Sequence, residues 1–329
     1  MAQKLSSREL RRKTKQIRHA IDGTRRRIIN LKFIRTAQFP YRAPSTPKGI
    51  DPHPTESKTG SSFQTSWARR TPARTIRMLF SEFPMRPIVQ FFAKPAMIGV
   101  ETLSDIPEYQ PVIFVANHHS HIDTPLLITS LPLRWRKKLV VGAAADYFFS
   151  TRITGALSAL FIGAIPIERK KITRKSSDDI AELIDKGWSF MVFPEGGRSP
   201  DGWGQPFRGG AAYLSLRCKV PIIPIHLTGT GAILRKGRNL PKRSETTINF
   251  GKPIWPIDGE KSRSLAKRVE ISVAQLADET SSNWWESKKR LYEKETPTLH
   301  GPQASSWRRA WDLSHLKRQQ ENNRLWPKI

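Results

Sequence analysis

The sequence predicts an α/β layered domain with a mostly parallel central sheet flanked by helices, a basic N-terminal tail and a helical C-terminal extension. Continuous apolar runs at residues 112–116, 190–193 and 220–225 are typical of strands buried on both faces. Between the first two runs, residues 176–187 show a helical pattern that ends at Gly187. Strands that alternate with helices favour a parallel sheet.

The elements between these runs follow in chain order. Residues 76–100 are apolar but interrupted by three prolines, which predicts short helical pieces. Residues 153–167 predict a buried helix that runs into a strand at 164–167. Residues 139–143 and 246–250 are the other candidate strands.

Composition divides the chain into three parts. Residues 1–75 contain 18 Lys and Arg against four Asp and Glu, and are rich in Pro, Ser and Thr towards their end, which predicts a basic, largely disordered extension. Residues 76–260 hold the predicted strands and form the expected folded domain. Residues 261–329 are polar and helical in pattern, with Trp, Lys and Arg. The total of 329 residues suffices for one large domain with extensions.

The net charge of +28 favours a polyanionic partner, either nucleic acid or an anionic membrane. The basic residues concentrate at the two ends and no recognised nucleic-acid-binding motif appears, so we do not expect nucleic acid as a partner. The single cysteine, Cys218, excludes an intramolecular disulfide and suits a reducing compartment.

A membrane surface with anionic lipid is the expected partner. No secretory signal is found, and no run reaches the roughly 18–20 apolar residues that span a bilayer. We therefore expect peripheral, monotopic association on the cytoplasmic side. The C-terminal tryptophans lie among Lys and Arg, which is typical of membrane interfaces, although contact with the core explains them equally well: Trp284, Trp285, Trp307, Trp311 and Trp326.

A candidate acid–base pair follows the first apolar run. The predicted strand ends at Asn117-His118, and Asp123 follows five residues after His118. The carboxylate would accept a hydrogen bond from one ring nitrogen and fix the tautomer, which leaves the other nitrogen to take a proton from a hydroxyl group. Ligands of α/β sheets bind at the carboxyl ends of strands, where this pair lies. Asp123 is also predicted to be the N-cap of the next helix.

A metal site is the alternative for this segment, because His119, His121 and Asp123 resemble the ligand run of metallo-hydrolases. Such a run requires a His directly after the Asp, where this chain has Thr124, and further ligands downstream. Only His226 follows a predicted core strand. We therefore predict no metal.

A second group of residues offers an anion site. The strand at 190–193 continues into Pro194-Glu195-Gly196-Gly197-Arg198-Ser199, where the glycines let the backbone approach a ligand and Arg198 can bind a phosphate. Glu195 would hold that guanidinium or bind a substrate hydroxyl. Phe207-Arg208-Gly209-Gly210 repeats this pattern. Arg169 follows another predicted strand, although it opens a basic run that also fits a solvated charge cluster.

At these residues the chain resembles the glycerolipid acyltransferase family, which includes the 1-acylglycerol-3-phosphate acyltransferases. Four blocks occur in the family's order and spacing over about residues 95–255: Asn117-His118 to Asp123, Gly163 to Arg169, Phe193 to Ser199, and the strand at 220–225 with Pro221. The segment Phe207 to Gly209 also fits. Gly197 stands where the family usually has Thr, and the Glu168-Arg169 pair differs from the commonest form of its block.

The resemblance implies an O-acyltransferase that moves a fatty acyl group from acyl-CoA or acyl-carrier protein to lysophosphatidate, giving phosphatidate. Glycerol-3-phosphate, another lysophospholipid and a glycolipid remain as alternative acceptors. His118 would be the general base and Asp123 would orient it. Neither metal nor bound cofactor is implied, because the thioester is already activated.

The resemblance also implies roles for the other motif residues. The acceptor's phosphate would be bound by Arg169, Glu195, Gly196 and Arg198. The motifs would be supported by Asn117, Gly163, Phe193, Pro194, Gly197, Ser199, Phe207, Gly209 and Pro221.

Overall fold

The computed structural model describes residues 60–168, 174–234, 240–305 and 307–313, all within one compact unit that covers Thr55–Ile329. The predicted basic tail up to residue 59 and the candidate phosphate ligand Arg169 lie outside the described residues. The predicted domain boundary at residue 75 falls inside a helix, Thr71–Phe80.

A seven-stranded sheet forms the centre of the described part of the chain, in the order β1-β7-β6-β2-β5-β3-β4. All neighbouring pairs are parallel except β6 and β7, so the prediction of a mostly parallel sheet is confirmed. The strands are β1 (Pro95–Ile98), β2 (Ile113–Ala116), β3 (Leu139–Ala144), β4 (Ala164–Ile167), β5 (Ser189–Val192), β6 (Ile222–Thr228) and β7 (Thr246–Phe250).

Helices cover both faces of the sheet. They are α1 (Thr71–Phe80), α2 (Arg86–Ala93), α3 (Asp123–Ser130), α4 (Leu133–Arg136), α5 (Ala145–Phe148), α6 (Arg152–Ile162), α7 (Arg174–Asp185), α8 (Gly210–Cys218), α9 (Thr230–Leu234), α10 (Ser262–Ser281) and α11 (Trp284–Tyr292). Residues 307–313 are also helical.

Strand β2 shows why the central strands have no polar side chains. Ile113 and Val115 contact the apolar layer under α7, α8 and α10, whereas Phe114 and Ala116 contact the layer under α2 and α3. Because successive side chains of a strand point to opposite faces, a strand covered on both sides is apolar at every position.

Two features of the sheet differ from the sequence prediction. Strand β1 was not expected, because it begins with Pro95 and is largely exposed at the sheet edge, where proline is tolerated. Strand β6 extends to Thr228 and includes the buried His226.

The first helices form one nearly continuous rod. A π-helical turn, Ser81–Met85, joins α1 to α2 and contains Pro84. The proline lacks the N–H that a regular helix would use there. The buried Arg77 of α1 donates hydrogen bonds to the carbonyls of Leu160 (2.8 Å) and Ala159 (2.8 Å), which ties α1 to the end of α6.

The C-terminal region is helical where it is described. The side chains of Leu265, Val269 and Val273 are buried along α10. Trp284, Trp285, Trp307 and Trp311 remain 46–69% exposed, so contact with the core does not account for them. No helix among the described residues is both long enough and apolar enough to cross a membrane.

Candidate active site

The site lies where the carboxyl ends of two neighbouring strands meet. Strands β2 and β5 are parallel and in register at Val115 and Val192, so the segments that follow them emerge side by side. The first carries His118, and the second carries the turn from Phe193 to Ser199. The topology therefore brings together two motifs that are more than 70 residues apart in sequence.

His118 and Asp123 form the predicted pair. His118 Nδ1 lies 2.9 Å from Asp123 Oδ2, and the carboxylate is fully buried. The backbone N–H groups of His119 and Ser120 also donate to Oδ2, at 2.7 and 2.8 Å. Because an ionised carboxylate is only an acceptor, this arrangement requires the Nδ1–H tautomer of His118 and leaves Nε2 as the basic nitrogen.

The helix boundary at Asp123 corrects one detail of the prediction. Asp123 is the first residue of α3, and Ile122 takes the N-cap position. The carboxylate accepts hydrogen bonds from the turn at residues 118–120 and is not used to cap the helix. Its placement serves the imidazole, whose ring also stacks on Phe193 with centroids 4.2 Å apart.

Asn117 joins β2 to its other neighbour, β6. Its side-chain amide donates to the carbonyl of Leu227 (2.9 Å), and its oxygen accepts from the N–H of Leu227 (2.7 Å). Both bonds are buried. The residue before His118 thus fixes the backbone at the point where β2 ends.

The position of Glu195 does not match the predicted contact with the acceptor. Its side chain is almost fully buried, Oε1 accepts the N–H of His118 (2.8 Å), and Oε2 accepts the N–H of Gln205 (3.0 Å). Burial raises the pKa of Glu195 to about 8, against the opposing effect of the two N–H donors. Glu195 therefore joins the His118 backbone to the loop that follows the second motif.

A cavity of about 160 Å³ opens at the imidazole. Its walls are mainly apolar and come from β3, β4 and β5 and from the helices beside them, with Phe148, Ile162, Ile167, Val192 and Leu214 among the wall residues. His118, His121, Arg198 and Arg208 contribute polar groups. The cavity therefore combines an apolar interior with positive charge near the base.

The glycines of the second motif have different roles. Gly196 has a φ of 75°, and a Cβ there would lie 2.8 Å from Cζ of Arg208, so glycine lets that guanidinium lie against the turn. A Cβ at Gly197 would meet nothing within 4 Å. Space therefore does not require glycine at position 197, where the resembled family usually has Thr.

The remaining motif residues fix the backbone around the site. Ser199 donates its N–H to the carbonyl of His118 (2.8 Å), and Pro194 accepts from the N–H of Arg208 (3.0 Å). Gly163 ends α6 with a φ of 66°. Gly209 precedes the first residue of α8, Phe207 donates its N–H to Glu270, and Pro221 accepts from the N–H of Ile113.

Three residues of the cavity were not assigned from the sequence. Arg208 had a signal, because Phe207-Arg208-Gly209-Gly210 repeats the pattern of the second motif. His121 was considered only as a ligand of the alternative metal site, and Tyr147 had no signal, since it reaches the site only through β3 and α5. Their rings lie 5.8 Å apart at the cavity. Burial and the nearby Arg198 lower the pKa of His121.

His119 is partly buried and does not line the cavity, and desolvation of its ring lowers its pKa. Within the described residues, no group of three or more His, Cys, Asp and Glu side chains is arranged to hold a metal ion.

Residues 97–228 match the model of a protein family described as Acyltransferase. The chain is 31% identical over 188 residues to the chloroplastic 1-acyl-sn-glycerol-3-phosphate acyltransferase BAT2 of Brassica napus, which covers 56% of this chain and 51% of that protein. It is 28% identical over 197 residues to the human 1-acyl-sn-glycerol-3-phosphate acyltransferase alpha, a match that covers 56% of this chain and 65% of the human protein. The chain spans about half the length of the first curated relatives it matches.

The fold is similar to that of the 1-acyl-sn-glycerophosphate (LPA) acyltransferase PlsC from Thermotoga maritima. The TM-score is 0.51 at 23% identity, with 67% of this chain and 84% of that chain covered. Residues 97–228, which match the Acyltransferase model, contain the His118–Asp123 pair, both guanidinium groups of the cavity and the four blocks on which the sequence resemblance rests.

Proposed function

We propose that the chain transfers a fatty acyl group from an acyl thioester to the hydroxyl group of lysophosphatidate, which gives phosphatidate. The observation that carries the proposal is the His118–Asp123 pair at a cavity with apolar walls and two guanidinium groups. The relatives support this reaction, because their names describe 1-acyl-sn-glycerol-3-phosphate acyltransferases.

His118 is the general base in this reaction. Its Nε2 takes the proton of the acceptor hydroxyl as the oxygen attacks the thioester carbonyl, and the resulting imidazolium is stabilised by Asp123. The tetrahedral intermediate then collapses, the C–S bond breaks, and His118 returns the proton to the leaving thiolate. No covalent acyl-enzyme is needed, because the acceptor oxygen attacks directly.

The acceptor's phosphate binds the guanidinium groups of Arg198 and Arg208. Arginine binds phosphate through two parallel N–H groups, and such charge-assisted bonds are about twice as strong as neutral ones. Both side chains line the cavity that contains His118. Arg169 remains a predicted third ligand outside the described residues, and Glu195 has a positioning role behind the cavity.

The apolar part of the cavity receives a fatty acyl chain. Each methylene group moved from water into such a site contributes about 0.8 kcal/mol. The donor is acyl-CoA or acyl-carrier protein. Because the thioester is already activated, the reaction requires neither a metal nor a bound cofactor.

The enzyme reaches its acceptor at a membrane surface with anionic lipid. The rod of α1 and α2 exposes apolar side chains that contact little of the protein, with exposed fractions of 48–72%: Ile76, Leu79, Phe83, Ile88 and Phe91. Arg243 lies 3.3 Å from the ring centre of Phe91. Exposed aromatic residues beside cations are typical of interfacial segments, and each Lys or Arg near an anionic surface contributes about 1 kcal/mol.

Glycerol-3-phosphate, other lysophospholipids and glycolipids remain the alternative acceptors, since they share the reacting hydroxyl. The test is acyl transfer from palmitoyl-CoA to lysophosphatidate, glycerol-3-phosphate and lysophosphatidylcholine under one condition. We expect the highest kcat/KM with lysophosphatidate. Transfer to another acceptor alone would retain the mechanism and replace the proposed substrate, whereas no transfer to any of them would contradict the proposal.

A further inference from the structure

We propose that residues 299–305 and 307–313, called the C-terminal segment, position the loop that carries the acceptor's phosphate ligands. This loop, residues 198–208, is called the acceptor loop. The C-terminal segment lies outside the region that matches the Acyltransferase family. The inference rests on the proposed function, and Arg309 is its principal residue.

One side of the acceptor loop is bonded to the active site. Ser199, directly after Arg198, donates its N–H to the carbonyl of His118 (2.8 Å). Further along, Gln205 donates to Glu195 (3.0 Å), whose other oxygen holds the N–H of His118. The conformation of the loop therefore determines where the cationic groups at its two ends, Arg198 and Arg208, lie relative to the base.

The other side of the loop is bonded to the C-terminal segment. Gly204 donates its N–H to the carbonyl of Leu299 (2.8 Å), and the indole N–H of Trp203 donates to the carbonyl of Arg309 (2.9 Å). The guanidinium of Arg309 returns to Asp201, with Nε 2.6 Å from Oδ2. These three bonds join parts of the chain that are about 100 residues apart.

Glycines on both surfaces allow this close approach. Gly301 has a φ of 65°, and a Cβ there would lie 2.3 Å from the indole ring of Trp203. Gly202 has a φ of 99°, and a Cβ there would lie 2.6 Å from Leu313. A side chain at either position would separate the loop from the segment.

Arg309 also organises the segment itself. Its Nη1 donates to the carbonyl of Pro302 (2.9 Å), so one guanidinium joins two parts of the segment to the loop. Hydrogen bonds and the charge of Arg309 lower the pKa of Asp201 against its partial burial. Both side chains of the pair are 23% exposed, and ion pairs of this kind add little to global stability. Loss of Arg309 should therefore displace the loop without unfolding the domain.

Displacement of the acceptor loop should affect binding of the acceptor more than the chemical step. The imidazole of His118 is oriented by Asp123 at the start of α3, and the loop bonds only to the backbone of His118, whereas Arg198 and Arg208 are themselves part of the acceptor loop. Displacement of the loop thus weakens phosphate binding more than proton transfer. A loss of binding that is equal in ground and transition states raises KM and leaves kcat unchanged.

The test compares Arg309→Ala, Arg309→Lys and the matched control Arg308→Ala in the full chain. Arg308 faces Asp312 at 3.5 Å and Trp311 at 4.8 Å. We expect Arg309→Ala to raise KM for lysophosphatidate about tenfold, with kcat and KM for palmitoyl-CoA within about threefold. Arg309→Lys should recover part of the loss, and Arg308→Ala should keep wild-type values.

Amide hydrogen exchange of residues 198–208 gives a readout that does not depend on turnover. Exchange at Gly204 should accelerate in Arg309→Ala and not in Arg308→Ala. If the wild type transfers no acyl group to lysophosphatidate, the proposed function fails while this comparison still tests the contact between segment and loop. The inference is overturned if Arg309→Ala and Arg308→Ala have the same exchange rates, or if kcat falls and the acceptor KM does not change.

Discussion

Replacing Asp123 by Asn should abolish most of the activity without unfolding the chain. The substitution is isosteric, so the side-chain oxygen can still accept the N–H groups of His119 and Ser120. The second carboxylate oxygen, Oδ1, is buried without a hydrogen-bond partner among the described residues, and the new NH₂ group occupies its place. We expect a loss of roughly 1–2 kcal/mol in the free energy of unfolding, because charged hydrogen bonds become neutral.

The effect on turnover is larger, because the proposed mechanism makes His118 positively charged in the transition state. A carboxylate 2.9 Å from the imidazolium contributes about 6 kcal/mol at an effective dielectric constant of about 20. Since each 1.36 kcal/mol of barrier is tenfold in rate, losing most of this term lowers kcat by about a thousand- to ten-thousand-fold.

The assay measures phosphatidate formation from palmitoyl-CoA and lysophosphatidate, with kcat and both KM values. The matched control is Asp178→Asn, which makes the same chemical change at an exposed aspartate of α7. We expect the control to retain wild-type turnover. Asp123→Asn with an intact melting transition and a kcat within tenfold of the wild type would refute the argument.

Three further predictions concern the site's support and the membrane surface. The pKa of Glu195 is raised to about 8, so between about pH 4.5 and pH 8 the folded chain keeps its proton while the unfolded chain loses it. The wild type therefore loses stability as the pH rises through this range, and Glu195→Gln does not. The advantage in melting temperature of the wild type over Glu195→Gln should become smaller from about pH 4.5 to about pH 8. A difference that grows with pH would contradict this assignment. Asn117→Ala removes the side chain that bonds the buried N–H and C=O of Leu227. The free energy of unfolding, measured by urea titration, should fall by about 2–4 kcal/mol. A change below about 0.5 kcal/mol would be inconsistent with the observed bonds. Phe83→Ser combined with Phe91→Ser should weaken binding to anionic vesicles at least tenfold, since fully burying each ring contributes about 1.5–3 kcal/mol. Turnover of a soluble short-chain acceptor should be retained. Unchanged vesicle binding would show that this surface does not bind the membrane.

The sequence predicted the centre of the site because its signals are local. His118 and Asp123 are five residues apart, and apolar runs before each motif identify β2 and β5. Parallel strands covered by helices place their carboxyl ends at one edge, and both motifs lie there.

The parts that escaped prediction depend on contacts between distant residues. Strand β1 pairs with β7 across about 150 residues, as in Pro95 with Thr246, and its own sequence carries no alternating pattern. Glu195 was expected to face the substrate, but its orientation is set by the N–H groups of His118 and Gln205. The fold places those two N–H groups beside the carboxylate, and no spacing in the sequence predicts that placement.

Interactions of the C-terminal region were also invisible in the sequence. Trp203 and Arg309 are 106 residues apart, and no local pattern around Trp203 indicates a contact with the C-terminal segment. The exposed Trp284 and Trp285 had two equal interpretations, and only their exposure in the folded chain distinguishes them.

The central claim is that His118 removes the proton of the acceptor hydroxyl during acyl transfer. Its most direct test is phosphatidate formation and free-thiol release by His118→Asn, beside the wild type and His121→Asn, a second histidine of the same cavity. We predict one thiol per phosphatidate in the wild type, a decrease of at least about a hundredfold in His118→Asn, and at least a tenth of wild-type turnover in His121→Asn. A folded His118→Asn protein that retains more than a tenth of the wild-type rate would contradict the account.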